Sequence, residues 1–459
     1  MLIRNYELRS ASGGRNYEKL IGLFLLSFFI LVPEIFCQTA TSKPDYSFKP
    51  FRVDSIAISG NNITEPEIIL TELTFSKGDI VDSTKLRFNR ERIYSLGIFT
   101  NVRLYPESNQ DKTTLVIEVS ESWYIWPIPF LALRDRDWKK ATFGLDVLIM
   151  NFRGRNEKLR TSFSLGYDPS FTIQYAKPYW FRKEAIYFDA YFVYVNQNNK
   201  SRNAEILFGE KFKQKFIGGN ITVGKRFNLF NKADVYVGFT YVETPKFVPN
   251  INAADSRIDR LPYLGLRYYY DSRDLAQFPK EGIFFNADIL KKGFGTSGVD
   301  YNIFNADFRE YRTVYKSLSS KWRLFSRQTF GKLIPFYDYS FLGYNERVRG
   351  HFTQRSEGNN LYLSQLEFKY PLLTEINIHL DLPLIPKALL TYRVEIYAQT
   401  FVEGGVTQMR GDPINLSHAF SGYGFGFTGL ILPYNIARLE FAINELGKTE
   451  IIFDLGISF

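Results

Sequence analysis

EIIFDLGISF, residues 450–459, ends the chain and alternates residue by residue. Ile451, Phe453, Leu455, Ile457 and Phe459 fall on one face; Glu450, Asp454, Gly456 and Ser458 fall on the other, with Ile452 the single apolar intruder. A period of two is that of a β-strand, and an oily face on a final strand ending in Phe suits a wall against lipid. Working back from this strand, the same period recurs through roughly the last three quarters of the sequence, in segments of about ten residues separated by turns. That is the pattern of a transmembrane β-barrel.

Composition agrees. The 459 residues suffice for one large barrel and a small domain, and aromatics reach 17%, with 43 Phe and 30 Tyr, as aromatic girdles at two interfaces require. Mean hydropathy is only −0.19, unlike a helical membrane protein; in a barrel each outward apolar residue is followed by an inward polar one. Cys37 is the only cysteine, so no disulfide forms within the chain. The net charge of +9 is spread through the alternating segments without a compact basic stripe, which argues against a nucleic-acid partner.

Arg4, Arg9, Arg15 and Lys19 precede an apolar run from Leu20 to Val32, too short to span a bilayer and suited to the core of a secretory signal. The expected division is a signal peptide over 1–37, a linker over 38–50, a small domain over 51–122 and a barrel over 123–459. Cleavage is expected near Cys37 or Gln38; lipidation of Cys37 is the alternative, with Phe36 a poor match to the small residue such a site needs.

The small domain reads β-α-α-β-β. Val53, Ile56 and Ile58 begin a strand ending at Gly60-Asn61. Thr64 precedes Glu67 by three, a capping box, with Pro66 in the first turn of a helix bearing Ile69 and Leu73. A second helix starts near Ser83, with Leu86, Arg90, Ile93 and Leu96 in one stripe and Gly97 as terminator. Phe99 to Tyr105 and Leu115 to Val119 alternate as two strands around a polar turn at Asn109 to Lys112. The pieces FRVDSIAISGN, ITEPEIILTEL, SLGIFTNVRLYPE and TTLVIEVSES resemble a POTRA domain, the polypeptide-transport-associated module. Such a domain has a short sheet with an open edge, where an unfolded chain can add a strand through main-chain hydrogen bonds.

About sixteen antiparallel strands follow, near 123–134, 140–152, 157–167, 171–181, 185–196, 211–226, 233–243, 261–271, 282–292, 301–314, 318–331, 360–371, 392–406, 422–432, 437–445 and 450–459. Tight turns at Arg182-Lys183-Glu184 and Asn231-Lys232 are expected on the periplasmic side, and longer stretches such as Glu243 to Asp259 outside. Three stretches go beyond a generic barrel: Asp271-Ser272-Arg273-Asp274 with Pro279 and Gly282; Val348-Arg349-Gly350-His351 between the eleventh and twelfth strands; and Phe401-Val402-Glu403-Gly404-Gly405 in the thirteenth. With the POTRA-like domain and terminal Phe459 they resemble the BamA/TamA-like family of outer-membrane assembly and translocation barrels, from about Phe51 to Phe459. The resemblance implies a sixth extracellular loop folded into the lumen, its VRGF motif docked on the inner wall against an F-x-D-x-G partner. Here His351 replaces the motif's Phe and Glu403 its Asp.

The residues themselves support such a latch. Glu395, Gln399 and Glu403 share the phase opposite Val394, Ile396 and Val402, and Glu367 opposes Leu366 and Phe368, so both carboxylates should point into the lumen. Gly422, Gly424 and Gly426 alternate with Tyr423, Phe425 and Phe427, leaving an inward trough where another backbone can approach. Arg349 would lie above it in a partly water-exposed fork with Glu403 or Glu367, worth about 1 kcal/mol. Pro127 and Pro129, two apart in the first strand, cannot donate to a ladder. Either they weaken the seam with the last strand, which in the family is the lateral gate, or they mark the hinge after the small domain.

No catalytic constellation is present. His351, His379 and His418 lack metal-ligand spacing, and the alternation of Gly422, Gly424 and Gly426 with aromatics marks a strand rather than a nucleotide loop. The expectation is therefore a non-enzymatic outer-membrane factor without cofactor, in contact with membrane lipid, accessory periplasmic or lipoprotein partners and unfolded exported polypeptides. A passive pore or surface protein is the alternative.

Overall fold

In the computed structural model of the protein, the described residues are 37–42 and 48–457, apart from short breaks at 110–111, 135–136, 251, 345, 352–353, 381–382 and 384–385. The signal-peptide reading, apart from its last residue Cys37, and Phe459 lie outside them.

β1 (Cys37–Ser42) comes first, beginning at the last residue of the expected signal peptide and running into the expected linker. The small domain contains β2 (Phe51–Arg52), β3 (Ser55–Ser59), α1 (Pro66–Leu70), β4 (Ile80–Val81), α2 (Ser83–Tyr94), β5 (Phe99–Asn109) and β6 (Lys112–Glu121). β6 lies centrally, parallel to β3 and antiparallel to β5. The two-residue β2–β4 ladder is additional to the expected β-α-α-β-β order; segments so short carry no readable alternation. The side chain of Asp82 accepts from Lys85 N at 2.7 Å and starts α2, whose Leu86 and Ile93 are buried in the same core as Val102, Leu104, Leu115 and Ile117. The expected capping box does not form. Glu65 is the N-cap of α1 without a side-chain bond, and the Thr64 hydroxyl donates instead to Glu121 Oε1 at 2.6 Å. A carboxylate is the stronger acceptor, and it also takes the Thr64 amide.

The barrel strands are β7 (Ile125–Leu133), β8 (Ala141–Phe152), β9 (Glu157–Gly166), β10 (Ser170–Phe181), β11 (Ile186–Asn198), β12 (Lys213–Arg226), β13 (Asn231–Glu243), β14 (Ile258–Asp271), β15 (Gly282–Lys292), β16 (Tyr301–Tyr315) and β17 (Leu318–Gly331), then β20 (Asn360–Leu380), β21 (Thr391–Gln408), β22 (Phe420–Leu432), β23 (Asn435–Asn444) and β24 (Thr449–Ile457). The short strands β18 (Ser340–Leu342) and β19 (Ser356–Gly358) pair with each other within the segment between β17 and β20. Consecutive barrel strands pair antiparallel throughout, from β7–β8 to β23–β24. Alternation sorts the faces: Phe425 and Ile451 are 54% and 68% exposed to the lipid side, whereas inward Glu440 and Asp454 are 4% and 7% exposed. Tyrosine rings lie directly across from glycines on the inner wall of β11–β14: Tyr187 opposite Gly224, Tyr236 opposite Gly265 and Tyr263 opposite Gly238.

Two expectations shift. The twelfth strand was expected to end at Pro371 but continues as β20 to Leu380; register breaks after Pro371 and Leu373 absorb the missing donor. The backbone of β1 pairs antiparallel with this extension, Ala40 opposite Ile378. The turn expected at Asn231-Lys232 falls slightly earlier, because Asn228 Oδ1 accepts from the amides of Phe230 and Asn231 at 2.9 Å and closes it there.

Candidate functional site: the infolded loop and the docked domain

The segment between β17 and β20 turns into the bore, a cavity of about 2180 Å³ lined by Arg349, Glu367, Glu403 and Glu440 among others. Arg349 is the hub. Its Nε donates to Glu403 Oε1 at 2.6 Å, its amide to Glu403 Oε2 at 2.9 Å, Nη2 to Glu367 Oε2 at 3.0 Å and Nη1 to Glu440 Oε1 at 2.5 Å. The guanidinium also lies 3.5 Å from the centroid of the Phe401 ring. Its side chain is 14% exposed and those of Glu403, Glu367 and Glu440 are 1%, 9% and 4% exposed, so the fork is buried rather than partly wet. Burial removes the water screening on which an estimate near 1 kcal/mol rested. Withdrawing one partner of such a network typically costs about 3–5 kcal/mol. Glu440 was missed by the sequence reading; its signal was inward phase on β23, four residues before Asn444.

The three trough glycines serve different neighbours. A Cβ on Gly422 would sit 2.0 Å from the Arg349 carbonyl oxygen, so this glycine admits the loop backbone. At Gly424 a Cβ would meet the Phe441 carbonyl oxygen at 2.0 Å and the Phe401 ring at 2.8 Å, and at Gly426 the Leu439 carbonyl at 2.5 Å. Beyond Arg349 the chain passes through Gly350, at φ +94°, to buried His351. The imidazole stacks on Phe420 at 4.2 Å, and Nε2 lies 2.8 Å from Glu445 Oε2. Val348 is fully buried beside Leu361 and Leu363.

The Asp271 motif is not part of this latch. It forms the β14–β15 turn at the opposite end of the barrel. Arg273 Nη2 donates to Asp271 Oδ2 at 2.7 Å, and Asp274 Oδ1 accepts from the amides of Lys280 and Glu281 at 3.0 and 3.3 Å. Pro279 is buried there and Gly282 sits at φ +108°. Burial and the nearby Glu91 carboxylate push the Asp274 carboxyl up to about 6, against the pull of the three backbone amides it accepts from.

This turn meets the small domain. The amide of Ala276 donates to Ser95 Oγ at 2.9 Å, and Leu275 and Phe278 join the domain's own core. Beside it lies a charged clasp that sequence reading missed, although the cation Arg90 in an apolar helical stripe pointed to it. Arg90 Nη1 donates to Glu375 Oε2 at 2.9 Å and its Nε to the Val102 carbonyl at 2.8 Å; Arg393 Nη1 donates to Glu91 Oε2 at 2.8 Å and its Nη2 to Glu395 Oε1 at 2.7 Å. Arg90 and Arg393 are 1% and 2% exposed. Further round the rim, Arg226 Nη1 donates to Glu72 Oε1 at 2.8 Å and Arg155 Nε to Glu65 Oε1 at 2.7 Å. The domain is therefore docked across the lower mouth of the barrel.

On β7, Pro127 and Pro129 face the seam. Tyr124 O accepts from Met150 N, and the register that follows gives the even-numbered residues of β7 the backbone bonds to β8. The odd-numbered residues, both prolines included, turn their backbone groups to the other edge, toward β24.

Comparison with known proteins is consistent with this architecture. Residues 151–443 match the Omp85 superfamily domain, and residues 51–122 match the POTRA family described as a surface antigen variable number repeat. The outer membrane protein assembly factor BamA of Nitratidesulfovibrio vulgaris is 30% identical over 69 residues, 15% of this chain and 9% of that protein. BamA of Neorickettsia risticii is 36% identical over 73 residues, 16% of this chain and 10% of that one. The matched stretches thus span about a tenth of these curated relatives. In fold, the chain resembles BamA from Haemophilus ducreyi lacking POTRA domains 1–3 (TM-score 0.51, 14% identity, covering 98% of this chain and 93% of that one). It also resembles CdiB from Escherichia coli (TM-score 0.50, 10% identity, covering 97% and 99%). A sixteen-stranded barrel with a POTRA domain at its lower mouth, matched to that family over most of its length, makes this chain a member of the Omp85 superfamily, set in the outer membrane with its POTRA domain in the periplasm.

Proposed function

We propose that the protein receives unfolded polypeptides in the periplasm and assists their insertion into, or passage across, the outer membrane, without a catalytic step or cofactor. The observation that carries this reading is the loop held inside the bore by Arg349 and three buried carboxylates. A diffusion pore gains nothing from filling its own lumen with a charged clamp. The POTRA sheet adds support, since its edge strand β3 offers main-chain groups to an extended client. The BamA relatives are described as outer membrane protein assembly factors. The work of insertion would come from client folding and from burial of apolar strand faces in lipid.

The test is depletion of the protein followed by quantitative comparison of outer-membrane and secreted proteomes, with complementation by the unaltered chain and by Arg349→Ala. Loss of a defined set of exported proteins, restored by the unaltered chain but poorly by the variant, is expected; unchanged proteomes would overturn the reading. The bore of about 2180 Å³ also suits a passive pore. A large, steady conductance in planar bilayers, the same in Arg349→Ala, would favour that alternative.

A further inference from the structure

The loop does more than place an arginine among carboxylates. After Arg349 its backbone is handed to the last hairpin of the barrel. Gly350 N donates to Glu450 Oε2 on β24 at 2.8 Å, and Gly350 O accepts from Asn444 Nδ2 at the end of β23 at 2.9 Å. The Asn444 amide is fixed in this orientation, because its Oδ1 accepts from the amides of Leu446 and Lys448 at 3.1 and 2.9 Å and so builds the β23–β24 turn. Only glycine fits at position 350: besides its positive φ, a Cβ would lie 3.1 Å from Asn444 Cβ and 3.2 Å from Asn444 N. His351 then grips the same turn, with Nε2 near Glu445 Oε2 at 2.8 Å and near the Ser421 carbonyl at 3.0 Å; Glu445 Oε2 also accepts from Ser421 N at 3.0 Å. Arg349 itself reaches Glu440 on β23. Four successive contacts, from Arg349 to His351, thus end on β23, β24 or the turn between them.

That hairpin is where support is needed. β24 pairs with β23 along one edge. Along the other it meets β7, whose Pro127 and Pro129 have no N–H to give toward it. We propose that the infolded loop is a brace for the terminal hairpin, with Glu450, Asn444 and Glu445 as positioning residues that supply through side chains what the seam lacks in backbone donors. Release of the loop then frees β23–β24 to move while the rest of the cylinder keeps its ladders. The bearing of this brace on client passage rests on the assembly reading above; the brace itself does not.

Hydrogen–deuterium exchange of the full chain in phosphatidylcholine nanodiscs separates the two. Asn444→Asp keeps the turn-forming acceptor and loses the donor to Gly350, and Glu450→Ala removes the acceptor on β24. Each is expected to speed exchange over residues 435–457 by about tenfold, leaving 186–292 unchanged. His351→Phe keeps the stack on Phe420 and loses the Glu445 contact, so its effect should be confined to 444–449. Unchanged exchange over 435–457 in both Asn444→Asp and Glu450→Ala, or faster exchange all round the barrel, would overturn the brace. Faster hairpin exchange with undisturbed client levels would tell against the assembly reading instead.

Discussion

Arg349 shows how one side chain organises a loop. It is positive among three carboxylates that would otherwise repel each other in a poorly hydrated part of the bore. Arg349→Ala should therefore cost about 3–5 kcal/mol of loop seating, read as protease sensitivity within 340–358 and a lower thermal midpoint in detergent. Arg349→Lys, which keeps the charge but loses the fork, should fall between the two. Equal protease resistance in all three proteins would show that the clamp does not hold the loop. Gly422 offers a matched pair of substitutions. Gly422→Ala puts a methyl 2.0 Å from the Arg349 carbonyl and should displace the loop at a cost of about 1–3 kcal/mol. On the same strand, Gly429→Ala meets nothing within 4 Å and should be near neutral by the same assays.

At the scale of elements, the β14–β15 turn makes docking depend on pH. The folded pKa of Asp274, about 6, lies above its ordinary value of 3.8, so the folded protein holds this proton more firmly than the unfolded chain does. Its contribution is fully present below the ordinary value and is lost as pH rises through about 6. Docking of the POTRA domain should accordingly loosen between about pH 4 and about pH 6.5. Asp274→Asn, which retains an acceptor and drops the charge beside Glu91, should flatten that dependence; differential scanning calorimetry at both pH values checks it. Periodicity made many of these elements legible beforehand. β24 was visible because every residue from 450 to 455 but Ile452 matches its face, and α2 because its stripe is long enough to show a period. The extension of β20 was not, because a proline in a strand pattern reads as its end, and only the tertiary pairing of β1 and β21 shows that the ladder resumes. Phase alone turned Glu367 and Glu403 into the bore, whereas Arg349, in a loop without phase, was brought to them by the family resemblance. What inward Glu440 meets, and the Arg393–Glu91 contact, could not be read, since they depend on how elements distant in sequence come together, α2 against β21 in the second case.

For the whole molecule, the decisive contact is the clasp between POTRA domain and barrel. Arg90, Glu375, Arg393 and Glu91 are buried at or near that boundary. Arg90→Met should leave Glu375 with only the longer ion pair to Arg393, 3.5 Å away, and the Val102 carbonyl without its donor, loosening the domain by about 3–5 kcal/mol, whereas Arg90→Met with Glu375→Met should recover part of that docking. Protease release of the domain, compared across the four combinations, checks this double-mutant cycle; equal release from the single and the double variant would place the holding force elsewhere.

The tyrosines laid across glycines on β11–β14 carry a mechanical consequence. Each ring lies across the neighbouring strand, and the Tyr187 and Tyr236 hydroxyls are tied to Asp234 and Asp288 on the next strand but one. That arc resists shear and bending like a laminated spine. The barrel should then flex with this arc as its stiff back rather than dilate evenly as a ring.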